Sequence, residues 1–248
     1  MALTIELPGR RPSRAARWAL RLALLQPALW LLAILAYRAD AIATSSFLLL
    51  LMVTGLVCVL TLVLILAGLR SLWVHGSRGG RRLSWTIIVM IPLAAPFVGA
   101  GYLWIVNPVA ADVSTDQADP PAFAFSPAVA PVAAEQGQGT GRRFRAPLDV
   151  VLEVADGLAR DRGWTPLGQR GRVGADDTIL VDYAYRVPVL HLPVQIVVRS
   201  RDEGDTARVD VRARMADLYH DLGFGAVLIA RYLDDLDFAM IGLTDPEP

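Results

Sequence analysis

The chain has 248 residues, 54% of them hydrophobic, with 24 basic side chains that are all arginine and 24 acidic ones. So apolar a composition excludes an ordinary soluble domain. The zero net charge conceals a split: residues 1–107 carry ten arginines against Glu6 and Asp40, a balance of +8, and residues 108–248 carry fourteen against twenty-two acids, a balance of −8. An acidic half joined to a basic, apolar one argues against nucleic acid as a partner.

Three apolar segments fill the first part. The first, 18–37, contains Arg21, Gln26 and Pro27. Arg21 lies one turn from the basic end and can reach the headgroups along its own stem. A cleaved signal peptide is the rival reading, but Tyr37-Arg38-Ala39-Asp40 is a poor small-residue cleavage site. The second segment, 47–69, is uncharged and long enough to span roughly 30 Å of hydrocarbon at ~1.5 Å per residue. It holds the single cysteine, Cys58, so no intrachain disulfide can form. The third, 85–106, is also uncharged and contains Pro92 and Pro96, which are expected to kink it. Thr54, Cys58 and Thr61 on the second segment, and Ala95 and Gly99 on the third, read as close helix packing. With no acid or histidine at bilayer depth, an ion path is not expected.

Arginine sets the expected orientation. Arg10, Arg11, Arg14 and Arg17 precede the first segment, and Arg70, Arg78, Arg81 and Arg82 fall in or beside the loop 70–83. The intervening stretch 38–46 has Arg38 alone, and no basic residue occurs from 83 to 141. The N-terminus is therefore expected in the cytoplasm. Three crossings leave the C-terminal half outside, which in a bacterium means the periplasmic side of the inner membrane.

Residues 108–141 hold Pro108, Pro120, Pro121, Pro127 and Pro131, then Gly137, Gly139 and Gly141. Their low complexity predicts a tether. Asp112, Ser114 and Asp116 echo the first ligands of a calcium loop. Gln117 stands where that loop needs glycine, however, and Phe123 where it needs glutamate. Asx-type turns are the better expectation.

Residues 142–248 read as a small α+β domain. Val150, Val151, Val154 and Leu158 recur at helical spacing between Pro147 and Gly163. Three strands follow. Ile179, Val181, Tyr183 and Tyr185 alternate with Leu180, Asp182 and Arg186. Val194, Ile196 and Val198 alternate with Gln195 and Arg199, and Val209, Val211 and Ala213 with Arg208, Asp210, Arg212 and Arg214. Asp202-Glu203-Gly204-Asp205 predicts a hairpin. A closing helix, near 221–238, completes an α-β-β-β-α order with an antiparallel sheet and both helices on its apolar face.

The other sheet face is rich in arginine and aspartate. It reads either as a site for phosphate or carboxylate groups, lipid headgroups included, or as a solvated face of weak cross-strand ion pairs, the reading preferred here. Candidate ligand residues are Arg212, Arg214, Asp217, His220 and Asp221. Asp217 and Asp221 are one helical turn apart with His220 between them. A metal needs three or four converging ligands. The plainer roles are a helix cap for Asp221 and an arginine partner for Asp217. Ser114, Ser126 and Ser200 lie in no nucleophile motif and no glycine-rich phosphate loop follows a strand, so neither cofactor, metal nor catalysis is expected.

Asp112-Val-Ser-Thr-Asp-Gln-Ala-Asp-Pro-Pro-Ala-Phe resembles the opening motif of the domain of unknown function 1499 family of proteobacterial envelope proteins. Val209-Asp-Val-Arg-Ala-Arg and Asp221-Leu-Gly-Phe-Gly are similar to its second signature, Val-Asp-x-Arg-Ser-x-Ser-Arg-x-Gly followed by Asp-x-Gly-x-Asn and an arginine. Val209, Asp210, Arg212, Asp221 and Gly223 match that pattern. Ala213, Met215, Ala216, Leu218, Gly225 and Leu228 replace its other residues. The resemblance covers residues 112–240 and implies a membrane-anchored envelope protein. It brings no activity with it, and a polar site formed by the family's residues would be largely stripped here.

Together these readings predict three helices in the lipid bilayer carrying an outer domain that binds an envelope protein or the membrane surface. The alternative is a carrier in which Trp164, Tyr183, Tyr185 and Phe224 line a pocket for a lipid or small apolar ligand.

Overall fold

A computed structural model describes residues 13–77, 79–107, 111–124, 140–215 and 218–241. The chain divides into two compact units, Met1–Tyr102 and Leu103–Pro248.

Three helices, α1 (Arg14–Arg38), α2 (Thr44–His75) and α3 (Gly80–Val106), account for the apolar segments, and each is long and apolar enough to cross a membrane. All three run past the predicted apolar stretches, because arginine and leucine favour helix about equally and the basic ends simply continue the turns. Ser13 starts α1 by accepting the Ala16 N–H at 3.3 Å. Gly76, at φ +56°, ends α2 in the left-handed conformation. Pro27, Pro92 and Pro96 lie inside their helices.

The inside of this unit mixes small and polar residues with larger apolar ones. Ala16, Ala19 and Ala23 are fully buried beside Cys58, Ile65, Leu83 and Met90. A Cβ on Gly68 would come within 2.9 Å of Leu83 Cδ1, so glycine there permits the close approach. Gln26 is fully buried; its Nε2 donates to Thr61 Oγ1 at 3.1 Å, and its Oε1 accepts from Cys58 Sγ at 2.9 Å. Leu24, Leu31, Leu56, Leu66, Ile91 and Val98 are instead more than half exposed. A surface this apolar suits hydrocarbon and not water.

The second unit contains β1 (Asp112–Ser114), β2 (Arg142–Phe144), α4 (Leu148–Asp161), β3 (Thr165–Arg170), β4 (Thr178–Arg186), β5 (Pro193–Asp202), β6 (Ala207–Arg214) and α5 (Phe224–Met240). The strands form one antiparallel sheet in the order β1-β6-β5-β4-β3, and β2 pairs with the other half of the β6 edge. The α-β-β-β-α expectation is thus corrected to β-β-α-β-β-β-β-α. Strands β1 and β2 are only three residues long, too short for alternation to register. In β3, Pro166 and a register shift before Gly168 break the pattern.

Alternation did locate β4, β5 and β6, and their registers stack Val181, Val198 and Val211 in one row and Tyr183, Ile196 and Ala213 in the next. That apolar face packs against α4 and α5. Trp164 stacks on Tyr232 at 4.7 Å and meets the Tyr183 ring edge-on at 5.9 Å. The Tyr183 hydroxyl donates to Asp156 of α4 at 2.7 Å, and the Tyr232 hydroxyl to the Ala155 carbonyl at 2.9 Å. The hairpin turns where expected, with Gly204 at φ +85° and its N–H on Asp202 Oδ1.

The expected tether at 108–141 also needs correcting. Residues 112–124 belong to the sheet domain, where β1 lines the β6 edge and the following residues cross the polar face. Residues 108–110 and 125–139 lie outside the described residues.

Candidate functional site

The polar face of the sheet is built by every second residue of β4, β5 and β6, and residues 112–124 close over it as a strap. Asp112 takes a two-pronged bond from Arg212, Nε to Oδ1 at 2.8 Å and Nη2 to Oδ2 at 2.6 Å, and Arg212 Nη1 donates to the Pro121 carbonyl at 3.0 Å. Arg199 donates to Asp116 and Asp119 of the strap, both at 2.8 Å, and to Asp210 of β6 at 2.9 Å. Arg208 meets Asp210 at 3.0 Å, and Arg201 meets Asp119 at 3.3 Å. At the far edge Asp182 accepts from Arg170 at 3.0 Å and from the Ala124 N–H at 3.1 Å. Phe123 lies under both Arg212 and Arg214, each guanidinium carbon 4.9 Å from the ring centre.

This arrangement overturns the solvated-face reading. Asp210 is fully buried, and Asp182, Arg199, Arg212 and Arg214 are at most 9% exposed. Buried pairs differ from surface pairs, because each charge has lost its water and depends on its partner. Burial works against the ionised form of Asp116. The Asp119 N–H and the positive charges of Arg199 and Arg208 outweigh it, holding the carboxyl below the ordinary range. Asp116 Oδ1 accepts that N–H at 3.0 Å, and Ser114 Oγ accepts the Asp116 N–H at 3.3 Å. The turns expected of this segment are therefore present, and they serve to aim the carboxylates inward.

The described candidate ligands fall into two bonding groups. Arg212 and Arg214 belong to the strap and sheet. Asp221 spends both oxygens on backbone, Oδ1 on the Gly223 N–H at 2.8 Å and Oδ2 on the Gly225 N–H at 2.7 Å, at the start of α5. Gly223 is the N-cap residue, so Asp221 satisfies a free N–H of the first turn from two positions before the cap. His220 Nδ1 accepts the Leu222 N–H at 2.9 Å, and its ring packs on Trp104 of the same unit at 4.5 Å. Asp217 lies outside the described residues. Among the described residues, no group of three or more His, Cys, Asp or Glu side chains is arranged to hold a metal ion.

Of the proposed carrier residues, Trp164 and Tyr183 are buried in the core stack, while Tyr185 and Phe224 are half-buried. Burial, and after it the bond to Asp156, pushes the Tyr183 hydroxyl far above its ordinary range, so it acts as a fixed donor. An open cleft of about 590 Å³ lies elsewhere, lined by Arg145, Asp149, Asp176, Asp177, Asp202 and Asp205 among others. In the sequence, Asp112, Asp116 and Phe123 read only as an incomplete calcium loop and a family-like motif; what was missed is their contact, and that of Asp119, with the sheet arginines. Their signal was present as three aspartates facing, by number and sign, an arginine-bearing hairpin, but nothing in one sequence pairs segments 80 to 100 positions apart. No family model, curated protein or solved structure matches this chain.

Proposed function

We propose that this is a non-catalytic inner-membrane protein whose three helices anchor a periplasmic domain used as an interaction module for an envelope protein. The observation that carries the reading is the internal use of the domain's chemistry. Charged side chains that would otherwise serve catalysis or ligand exchange are bonded to one another across the strap, as in the Asp112–Arg212 and Asp116–Arg199–Asp210 pairings. Trp164 and Tyr183, two of the four aromatic residues that would line a carrier pocket, instead stack in the core between sheet and helices. Such a domain is a rigid surface on an anchor. The likeness to the domain of unknown function 1499 family is part of the proposal. Its two motifs, 112–123 and 209–223, touch through Asp112 and Arg212, which gives one physical reason for both to occur in one chain.

The test is photo-crosslinking in intact cells, with the crosslinker placed at exposed positions of the outer domain, such as Val227 or Phe238. Discrete adducts with another envelope protein, absent without irradiation, are the expected result. Crosslinks to lipid alone, or none at any position, overturn the interaction role.

A further inference from the structure

Among the arginines of the strapped face, Arg170, Arg199, Arg201, Arg208 and Arg212 each meet a carboxylate. Arg214 meets none among the described residues. It is only 9% exposed, yet its Nη2 has just the neutral Gln195 Oε1 at 3.0 Å, its carbon lies over the Phe123 ring, and its Nε is buried without a partner. An amide oxygen and a ring face offset only part of what a guanidinium loses on leaving water. The nearest acid by register, its Cα partner Asp112, has both oxygens committed to Arg212. Among the described residues, Arg214 is thus a largely buried cation with no carboxylate partner. Two donors remain unused on this bonded pair: Arg214 Nη1 and Gln195 Nε2 have no partner among the described residues, and Gln195 and Arg214 are Cα partners on adjacent strands.

We propose that Arg214, with the Gln195 amide, is a binding site for a phosphate group. Guanidinium and amide N–H groups on two bonded side chains are the donor types that oxygens of such an anion accept from. The phosphate can belong to an anionic lipid or be free in solution. Asp112 follows Asn107, just past the end of α3, by five residues, and five residues span at most ~18 Å. Chain length thus permits a lipid phosphate as one source. The site rests on the charge pairing of the sheet, not on the interaction role proposed above, so either can fail alone.

The experiment is native mass spectrometry of the full chain in neutral detergent. It is titrated with phosphatidylglycerol, with and without inorganic phosphate, and compared with Arg214→Met and Arg214→Gln; melting of each form is recorded without added anion. Saturable binding that weakens at least tenfold or so in both variants is expected, since one charge-assisted donor is lost. Unchanged or raised melting temperatures are expected alongside, because the variants remove an uncompensated charge. Displacement by inorganic phosphate identifies a site for the free ion, and lipid binding that phosphate does not displace identifies a headgroup site. Absence of saturable binding, or equal binding by the variants, overturns the proposal. So does a marked loss of stability in both variants, which would mean that Arg214 is already compensated within the fold.

Discussion

Asp112 and Arg212 are each about nine-tenths buried and share a two-pronged bond, and Arg212 also holds the Pro121 carbonyl of the strap. Removing one member leaves the other charged, dry and alone, which costs about 3–5 kcal/mol, whereas replacing both with apolar side chains of similar volume costs far less. Asp112→Ala is therefore expected to destabilise the outer domain by that amount in chemical denaturation, and Asp112→Leu combined with Arg212→Met by less than Asp112→Ala alone. A double variant at least as unstable as the single one would mean that the bond, and not the stranded charge, carries the effect. Asp116 gives a second readout. Its carboxyl is held below the usual range, so it contributes stability that is complete above its unfolded value of about 4 and disappears as the pH falls through its lower folded value. Stability should drop with acid below pH ~4, and Asp116→Asn should make that drop shallower while lowering the plateau at neutral pH. An unchanged slope in the variant would remove Asp116 from the account.

At the scale of elements, legibility followed length and period. Strands β4, β5 and β6 run for eight residues or more, and a two-residue alternation over that distance fixed both their position and their faces. The three apolar helices were legible for the same reason. Strands β1 and β2 had no room for a period, and the strap after β1 is proline-rich and polar, which locally looks like a linker. Its character comes from arginines on β5 and β6, which is tertiary information. The start of α5 shows the converse, a local signal legible in the sequence: Asp221 serves the helix start, though from two positions before the cap. Its carboxylate accepts the Gly225 N–H, and a Cβ on Gly225 would lie 2.7 Å from that oxygen, so this bond and the glycine depend on each other. Asp221→Ala should lower stability by about 0.5–2 kcal/mol. Asp221→Asn, which keeps an acceptor, should retain most of it. A substitution effect that appears only when metal is added would instead restore the ligand role.

For the whole molecule, the charge split of the sequence has a geometric counterpart. Arg14, Arg17 and Arg21 lie at the start of α1, Arg70 near the end of α2, and Arg81 and Arg82 at the start of α3. If the three helices cross in succession, these ends share one side. The other ends carry Arg38 alone, accompanied by Tyr37, Tyr102 and Trp104, residues that favour the headgroup layer. Burying an arginine at the bilayer centre costs about 2.5–3.5 kcal/mol on insertion scales, and cytoplasmic loops hold the excess of such residues. The orientation proposed above, with the basic ends in the cytoplasm and the sheet domain outside, follows from that asymmetry and from an odd number of crossings. A phosphatase that folds only outside the cytoplasm should be active when fused after Pro248 and inactive when fused at Gly76. A fluorescent reporter that matures only inside should give the opposite pattern. If both fusions report the same side, one of the three helices does not cross, and α1 is the first suspect because Arg21, Gln26 and Pro27 all interrupt its apolar run. If the pair is inverted, the arginines do not govern insertion here, and the strapped domain would then face the cytoplasm and its partners.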